Sequence, residues 1–413
     1  MRFPAGLRAL NHDEFRVFFW AQMVALVGGW MQTVAQSWLV LQLTSSPLLL
    51  GLIGTLQFAP VTVFSLVAGA AADRLPKRAL LIFTQTILAG QALTLAVLVL
   101  TGLVQYWHVA VLGLVLGFAN VLDMPARQSF VMELVGRDDV INAVALNSAG
   151  FNTARIVGPA VAGLVIGGFG LVPAFVANSV GFVVVIVTLL TLRTHGRPAG
   201  PRGPMVAEIV EGLRYARRTP RIMLSLGLLF VVSLCVFNFT VYVPLLVRDV
   251  LRLGPEGFGF LMAALGVGAV AGALTLGSLG SHEPPIPTLF GAAAVALTSL
   301  LSLGFVRHVW VAVVLLFVTG YFGTVLVAGC NTVMQLTVPD DLRGRVMSLY
   351  TWVWGGTFPV GAFLVGAISQ GWGVSTTFRV AGVFGFATLG VVAAWWSWRG
   401  KTSGAGRIGT WNG

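Results

Sequence analysis

The chain has 413 residues, of which 57% are hydrophobic and 9% are charged, and its formal net charge is +11. Soluble proteins carry about 25% charged residues, and a globular core cannot bury so large an apolar fraction. The composition therefore excludes a soluble enzyme, a secreted disulfide scaffold and a disordered chain. It indicates an all-α integral membrane protein.

Apolar segments long enough to span a membrane follow one another along the chain. A spanning helix needs about 20 mostly apolar residues, and twelve segments meet this requirement. They are residues 15–43, 48–72, 79–104, 107–122, 140–169, 171–192, 222–247, 257–279, 286–305, 309–335, 346–369 and 376–398. The alternating short segments of a membrane barrel are absent, so we predict twelve transmembrane helices.

Basic residues are concentrated in alternate connections. With a cytoplasmic N-terminus, the external loops hold only Arg248, Arg252, Arg307 and Arg379 of the basic residues. Because cytoplasmic loops carry the excess of Lys and Arg, we predict that both termini are cytoplasmic. The first apolar run is longer than a signal-peptide core and is expected to remain as an anchor. The preference for Arg over Lys favours a bacterial protein, whose spans we place in the plasma (inner) membrane, and no nucleic-acid partner is expected.

The longest hydrophilic stretch, residues 193–221, divides the chain. Its Pro- and Gly-rich start disfavours a helix, whereas residues 206–218 can form an amphipathic helix with Leu213 and Ala216 facing the membrane. We predict an N-terminal half of six spans (1–192), this linker, a C-terminal half of six spans (222–398) and a cytoplasmic tail (399–413). This layout is typical of internally duplicated transporters.

The turn after the second span reads Gly-Ala-Ala-Ala-Asp-Arg-Leu-Pro-Lys-Arg from Gly69 to Arg78. Small residues let two helices approach closely. An Asp followed by a basic cluster can pair across a helix bundle and hold one conformation closed. A plain basic anchor loop explains the same residues equally well, so the pattern alone leaves both interpretations open.

This turn resembles the signature of the major facilitator superfamily, G-x-L-A-D-R-x-G-R-K, with Ala71 in place of Leu and Pro76 in place of Gly. Residues 36–47, 123–130, 147–159 and 341–348 extend the resemblance and are similar to exporters of enterobactin and macrolides. The resemblance implies two pseudo-symmetric six-helix halves that alternate between inward-facing and outward-facing states.

In this superfamily the Asp and Arg of the turn hold the halves together in the outward-facing state, joined by a carboxylate at the cytoplasmic end of the fourth helix. The resemblance thus implies a conformational latch, with candidates Gly69, Asp73, Arg74, Lys77, Arg78 and Asp123. It also implies a cytoplasmic gate loop before the eleventh span, with candidates Asp341, Arg343 and Arg345.

The fifth span contains a run of small residues around a proline. Ala154, Gly158, Pro159 and Gly163 are similar to the antiporter motif of the superfamily. Pro159 removes one backbone hydrogen bond and is expected to bend the helix, and the resemblance implies export. Ordinary packing of small residues between helices is the alternative.

Arg155 lies close to the middle of the fifth span, with Asn152 on the same helix face. A central Arg costs about 2.5–3.5 kcal/mol on insertion scales and is expected to face a wet cavity or a partner. It either contacts an anionic group of a substrate or modulates coupling, or it is a structural residue that bonds helix carbonyls or a carboxylate. The sequence leaves both open.

Further polar residues lie in spans one, four, seven and ten, which line the pathway in this superfamily. They are Gln32, Gln36, Asn120, Asn238 and Asn331. We treat them, with Arg155 and Asn152, as candidates for substrate binding or coupling. Hydrogen bonding between helices is the alternative for each.

The sequence offers no catalytic constellation, metal-ligand spacing, cofactor site or nucleotide-binding loop, so an ion gradient is the remaining energy source. No acidic residue lies in mid-membrane: Asp13, Glu14 and Asp123 are placed near cytoplasmic span ends, so the sequence shows no carboxylate relay for protons. We predict a secondary transporter, monomeric, that exports a small amphipathic molecule such as a drug or a siderophore against protons by alternating access. Uptake by the same fold, or a non-transporting membrane protein, is the alternative.

Overall fold

The computed structural model describes residues 4–195, 205–278, 283–339 and 342–402, with the backbone alone for 5, 65–73, 205–209 and 400–402. The described residues form helices and no strand. A 3-10 helix (Ala5–Asn11) precedes α1 (Asp13–Thr44), α2 (Pro47–Arg74), α3 (Lys77–Leu100), α4 (Tyr106–Phe169), α5 (Val172–Thr191), α6 (Met205–Arg218), α7 (Pro220–Cys235), α8 (Phe239–Leu245), α9 (Pro255–Ser278), α10 (Ile286–Leu303), α11 (Val309–Thr337), α12 (Arg343–Gly356) and α13 (Phe358–Thr402).

Two helical segments are far longer than a membrane is thick. Tyr106–Phe169 has 64 residues and Arg343–Arg399 has 57, so at 1.5 Å per residue they would be about 96 and 86 Å long, against a hydrocarbon core of about 30 Å. Each is interrupted by a glycine with positive φ, Gly136 (72°) and Gly373 (76°). Each therefore holds two spans, and the ten apolar segments of the described chain give the predicted twelve.

The seventh span is broken, where the sequence predicts one helix over 222–247. Helix α7 ends at Cys235, α8 begins at Phe239, and a π-helical turn, Leu246–Leu251, follows. The Tyr242 hydroxyl donates to the Cys235 carbonyl at 3.1 Å, which satisfies a carbonyl freed by the break. Apolar composition defines a span but contains no information about such a break.

The eleventh span is also interrupted, at Thr357 between α12 and α13. Two glycines precede this residue and Pro359 follows it. Pro359 has no N–H to donate to the Gly355 carbonyl, which accepts instead from the Thr62 hydroxyl at 3.5 Å, so the local sequence explains the interruption.

The helices pack as two groups, α1–α5 and α7–α13, which meet where α2 packs on α13 and α4 packs on α9. We call the end of the bundle that carries Arg74, Arg127 and Arg217 the basic end, and the end that carries Ser45, Gly170 and Arg248 the distal end. The limits given above for the two halves, residues 1–192 and 222–398, remain a prediction.

Glycines allow the close contact between the two groups. A Cβ added at Gly51 of α2 would lie 2.4 Å from the Ala362 carbonyl oxygen, and one at Gly259 of α9 would lie 2.4 Å from the Pro159 carbonyl oxygen. Real Cβ atoms do not approach an oxygen so closely. Each backbone contact therefore requires glycine.

The linker helix α6 forms as predicted, but its orientation corrects one expectation. Leu213 is exposed, whereas Ala216 is fully buried with Ile222 and Val346 and does not face the membrane. Gly212, one turn before Ala216, lies against the Arg345 backbone. These two small residues let α12 approach α6 closely, so α6 is bound to the C-terminal group.

The N-terminal 3-10 helix is docked near the start of the second α4 span. The Asp139 carboxylate accepts hydrogen bonds from Arg8 and, at 2.8 Å, from His12. The Asn142 side chain bonds Ala9 N–H and the Gly6 carbonyl, each at 2.8 Å. The hydrogen bonds from His12 and Arg8 hold the pKa of Asp139, in the connection between two spans, below its usual range.

Asp139→Asn is expected to release the N-terminal helix, because a neutral amide cannot pair with Arg8. The lowered pKa gives the same direction with pH: the docking persists above the ordinary carboxyl pKa and is lost as pH falls through the lowered value. Amide hydrogen exchange of residues 5–11 measures the release. Asp138→Asn is the control, since only the Asp138 backbone carbonyl contacts Arg8; equal exchange in both variants would contradict this account.

Candidate functional site

The exposure of residues along one face of the second α4 span shows where the bundle is open. Val144, Ser148, Arg155, Ala162 and Ile166 follow at helical spacing and share this face. Toward the distal end Ala162 and Ile166 are buried (0% and 6% exposed), whereas toward the basic end Val144 is 55% exposed and Ser148 is exposed. The same face is thus covered at the distal end and uncovered at the basic end.

Hydrogen bonds to α13 from Ser46, directly before α2, and from Thr55 of α2 close the distal end. The Ser46 hydroxyl donates to Gln370 Oε1 at 2.7 Å, and the Thr55 hydroxyl donates to the Pro359 carbonyl at 2.9 Å. Together with the glycine contacts, they seal the two groups against each other. Among the residues that the structure describes, the bundle is therefore closed at the distal end and open at the basic end.

Arg155 lies on this face between Ser148, which is exposed, and Ala162, which is buried. Its side chain is half-buried, and it makes no hydrogen bond, ion pair or ring contact with any residue that the structure describes. Phe151, one turn before it, meets Trp30 edge-on with 5.9 Å between ring centroids. Asn152 donates to the Ser148 carbonyl at 2.9 Å. The structural alternative, in which Arg155 bonds carbonyls or a carboxylate, is not found among the described residues.

Asp123 differs from its expected position. Helix α4 continues for twelve residues from Asp123 to Val135, the residue before the Gly136 kink, so Asp123 is inside the bundle and not at a helix end. It is 2% exposed and accepts hydrogen bonds from Thr84 (2.8 Å), Gln85 (2.7 Å) and Arg127 (2.9 Å from Nε). Sequence reasoning missed these three partners.

The other latch candidates are bound within their own half. Lys77 is buried and pairs with Glu133 at 3.2 Å, a residue that the sequence placed in a connection. Arg78 donates to the Leu190 carbonyl at 2.7 Å. The Arg74 side chain is exposed and its predicted contact with Asp123 is not formed, while for Gly69 and Asp73 the structure describes the backbone alone.

The gate-loop candidates are partly described. Arg343 is the first residue of α12, and the Arg345 guanidinium donates to Glu211 of α6 at 2.6 Å. Asp341 lies outside the described residues.

The small residues of the fifth span form two contacts with neighbouring helices. Gly158 lies against Trp30 of α1 and Gly163 lies against Gly259 of α9, and Ala154 and Pro159 are buried. The only non-helical dihedral angles within α4 are those of Gly136, so Pro159 does not break the helix.

The predicted pathway residues divide into two kinds. Gln32 is bound inside the first group, where it donates to Gln91 at 3.0 Å and accepts from Asn178 at 2.7 Å. Gln36 is 2% exposed, its amide has no partner among the described residues, and with Gln57 it lines a cavity of about 20 Å³ between α1, α2 and α8. A cavity of this size holds about one water molecule.

The remaining pathway candidates make local contacts. Asn238 lies in the break of the seventh span and donates to the Leu234 carbonyl at 2.9 Å. Asn331 accepts from Gln335 one turn away, and Asn120 is half-buried. Among the described residues no group of His, Cys, Asp and Glu could hold a metal ion.

Comparison with known proteins identifies the class. The family profile described as "Transmembrane secretion effector" matches residues 5–397, so the chain belongs to this family of the major facilitator superfamily. It is 28% identical to the multidrug efflux pump Tap of Mycolicibacterium fortuitum over 91% of this chain and 94% of Tap. It is 26% identical to the enterobactin exporter EntS of Shigella boydii serotype 4 (strain Sb227), over 83% and 82% of the two chains.

The fold is also that of solved transporters. A bacterial homologue of the human lysosomal transporter Spinster, in an inward-facing and occupied conformation, superposes with a TM-score of 0.74 and 13% identity, covering 99% of this chain and 100% of that one. This likeness confirms the predicted major facilitator fold.

Proposed function

We propose that this protein exports a small amphipathic molecule by alternating access, driven by protons that move inward. The observation that carries the proposal is the asymmetry of the bundle, sealed at the distal end and open at the basic end, in a chain that belongs to a secretion family. The relatives named an efflux pump and an enterobactin exporter support a drug or a siderophore as the substrate class.

The orientation follows from the charge distribution. Arg74, Arg127 and Arg217 mark the basic end, and cytoplasmic loops carry the excess of basic residues. The basic end then lies in the cytoplasm of a bacterial cell, both termini are cytoplasmic, and the state described here is inward-facing and receives substrate from inside. The protein acts as a monomeric transporter in the plasma membrane and not as an enzyme.

The conformational latch belongs to the opposite state. In this inward-facing structure Lys77 and Asp123 bind partners within their own half, which leaves Arg74 exposed. When the basic end closes, Asp73 and Arg74 would meet the C-terminal half and hold the outward-facing state. The latch thereby sets the balance between the two states.

Asp73→Asn is expected to impair transport severalfold without affecting membrane insertion, because a neutral side chain cannot stabilise the outward-facing state by charge. Efflux from cells and the amount of folded protein measure the two effects. Asp138→Asn, an exposed acid near the basic end, is the control and keeps full transport. Normal transport by Asp73→Asn would contradict the latch.

Acid-loaded inside-out vesicles test the proposed function. Macrolides, cationic dyes and catecholate siderophores are added in turn, and collapse of the pH gradient is followed. Release of protons on addition of one class is the expected result and establishes antiport. A gradient that survives every addition, with the protein correctly inserted, would contradict proton-driven export of these substrates.

A further inference from the structure

We propose that Arg155 binds an acidic group of the transported molecule while Phe151 and Trp30 contact an apolar ring beside it. The inference rests on the export function proposed above and names a substrate class for the same pathway. That class is the small aromatic acids, which carry a carboxylate or a similar anion next to a flat apolar body.

The first step is the charge. A guanidinium stays protonated in proteins, so Arg155 places a fixed positive charge inside the membrane. Charged residues in spans face the bundle interior or a wet cavity and mark substrate or ion paths. Arg155 is on the interior face, since Val157 and Leu164 on the other side of α4 are exposed at 39% and 71%, as lipid-facing residues are.

The second step is the missing counter-charge. Arg155 has no ion pair or hydrogen bond among the described residues. The embedded carboxylates near the basic end are already bound, Asp123 to Arg127 and Glu133 to Lys77. Arg155 therefore presents a positive charge that no described residue compensates, and such a charge attracts anions and repels cations.

The third step is the apolar surface that lies beside the Arg155 guanidinium. Phe151 precedes Arg155 by one turn, so the two side chains leave the helix about 6 Å apart along its axis. The Phe151 and Trp30 rings meet edge-on at 63° and form an apolar corner. A guanidinium binds a carboxylate through two parallel hydrogen bonds, and a naphthalene carboxylate has its ring and its acid at a comparable separation.

The experiment uses a matched pair of probes with the purified full-length protein in nanodiscs. Naphthalene-2-carboxylate and naphthalene-2-carboxamide differ in charge at one group, and calorimetry measures the affinity for each. The wild type is expected to bind the acid about tenfold or more tightly than the amide, as charge-assisted hydrogen bonds allow. Arg155→Gln abolishes the difference, Arg155→Lys retains part of it, and Arg252→Gln on the exposed distal surface leaves it unchanged.

Equal affinity of the wild type for acid and amide, or no affinity for either, would overturn the proposal. So would an acid preference that survives in Arg155→Gln. Amide binding and the unfolding temperature verify that each variant is folded.

A second measurement keeps Arg155 in place. Cysteine at position 152 (Asn152→Cys) is modified from the basic end with a sulfonatoethyl or a trimethylammonioethyl methanethiosulfonate. The anionic reagent is expected to react faster relative to its rate with a free thiol, and an equal or reversed ratio would overturn the proposal. The two failures are distinguishable: export of neutral substrates without acid preference disproves only this inference, and acid binding without any flux disproves only the export function.

Discussion

Gly259→Ala is expected to move the protein toward the outward-facing state. The new Cβ would lie 2.4 Å from the Pro159 carbonyl oxygen and 2.8 Å from Gly163 Cα. Both are backbone atoms, so no side-chain rotation can relieve the overlap. Overpacking of this kind costs about 1–3 kcal/mol, and about 1.4 kcal/mol is a tenfold change in an equilibrium. Alternating access separates the two groups at the distal end in the outward-facing state, so we expect the penalty to fall on the inward-facing state.

Accessibility of the cavity lined by Gln36 and Gln57 measures the shift. Thr33→Cys lies on its wall and is expected to react about tenfold faster with an impermeant thiol reagent from the distal side in the Gly259→Ala background. Gly291→Ala in α10 is the matched control, since nothing lies within 4 Å of its added Cβ. An unchanged rate in Gly259→Ala would show that the glycine contact does not hold the distal end closed.

Asp123→Asn is expected to cause the largest loss of stability among the single charge substitutions considered. The carboxylate is 2% exposed and binds Thr84, Gln85 and Arg127. Breaking a buried ion pair costs about 3–5 kcal/mol, and because the Arg127 side chain is 23% exposed, we expect a smaller loss, about 2–3 kcal/mol. The temperature of unfolding in a fixed detergent reports the loss.

Two controls separate charge from packing. Asp13→Asn removes an ion pair with Arg16 in which the Asp side chain is 83% exposed, and such pairs are worth at most about 1 kcal/mol. Adding Arg127→Gln to Asp123→Asn removes the unpaired charge and is expected to recover part of the stability. A double variant no more stable than Asp123→Asn would show that the ion pair is not the cause.

The spans were predictable because membrane thickness fixes their length and hydrocarbon requires their composition. The same reasoning ended the fourth span at residue 122, since polar residues follow, whereas the helix continues to Val135 before the Gly136 kink. Those polar residues face protein and not lipid: Asp123 binds α3, and Glu133 pairs with Lys77. Hydropathy measures transfer into lipid and does not detect a partner on a neighbouring helix.

The candidate site was predictable as a list of residues but not as a set of contacts. Gln32 and Gln36 are equivalent in the sequence, yet Gln32 is bound by Gln91 and Asn178 while Gln36 faces a cavity. The difference depends on how each helix is rotated, which an apolar span does not specify. For Arg155 the sequence left two roles open, and only the structure shows that no described partner neutralises it.

Two distances in one molecule test alternating access most directly. Spin labels at Leu43 and Gly371 report the distal end, and labels at Val144 and Thr351 report the basic end; all four residues are exposed. In the wild type the distal pair is expected to be close and the basic pair far apart. In Gly259→Ala the distal distance lengthens and the basic distance shortens in the same fraction of molecules. A distal distance that lengthens while the basic distance stays unchanged would show a local distortion and contradict alternating access.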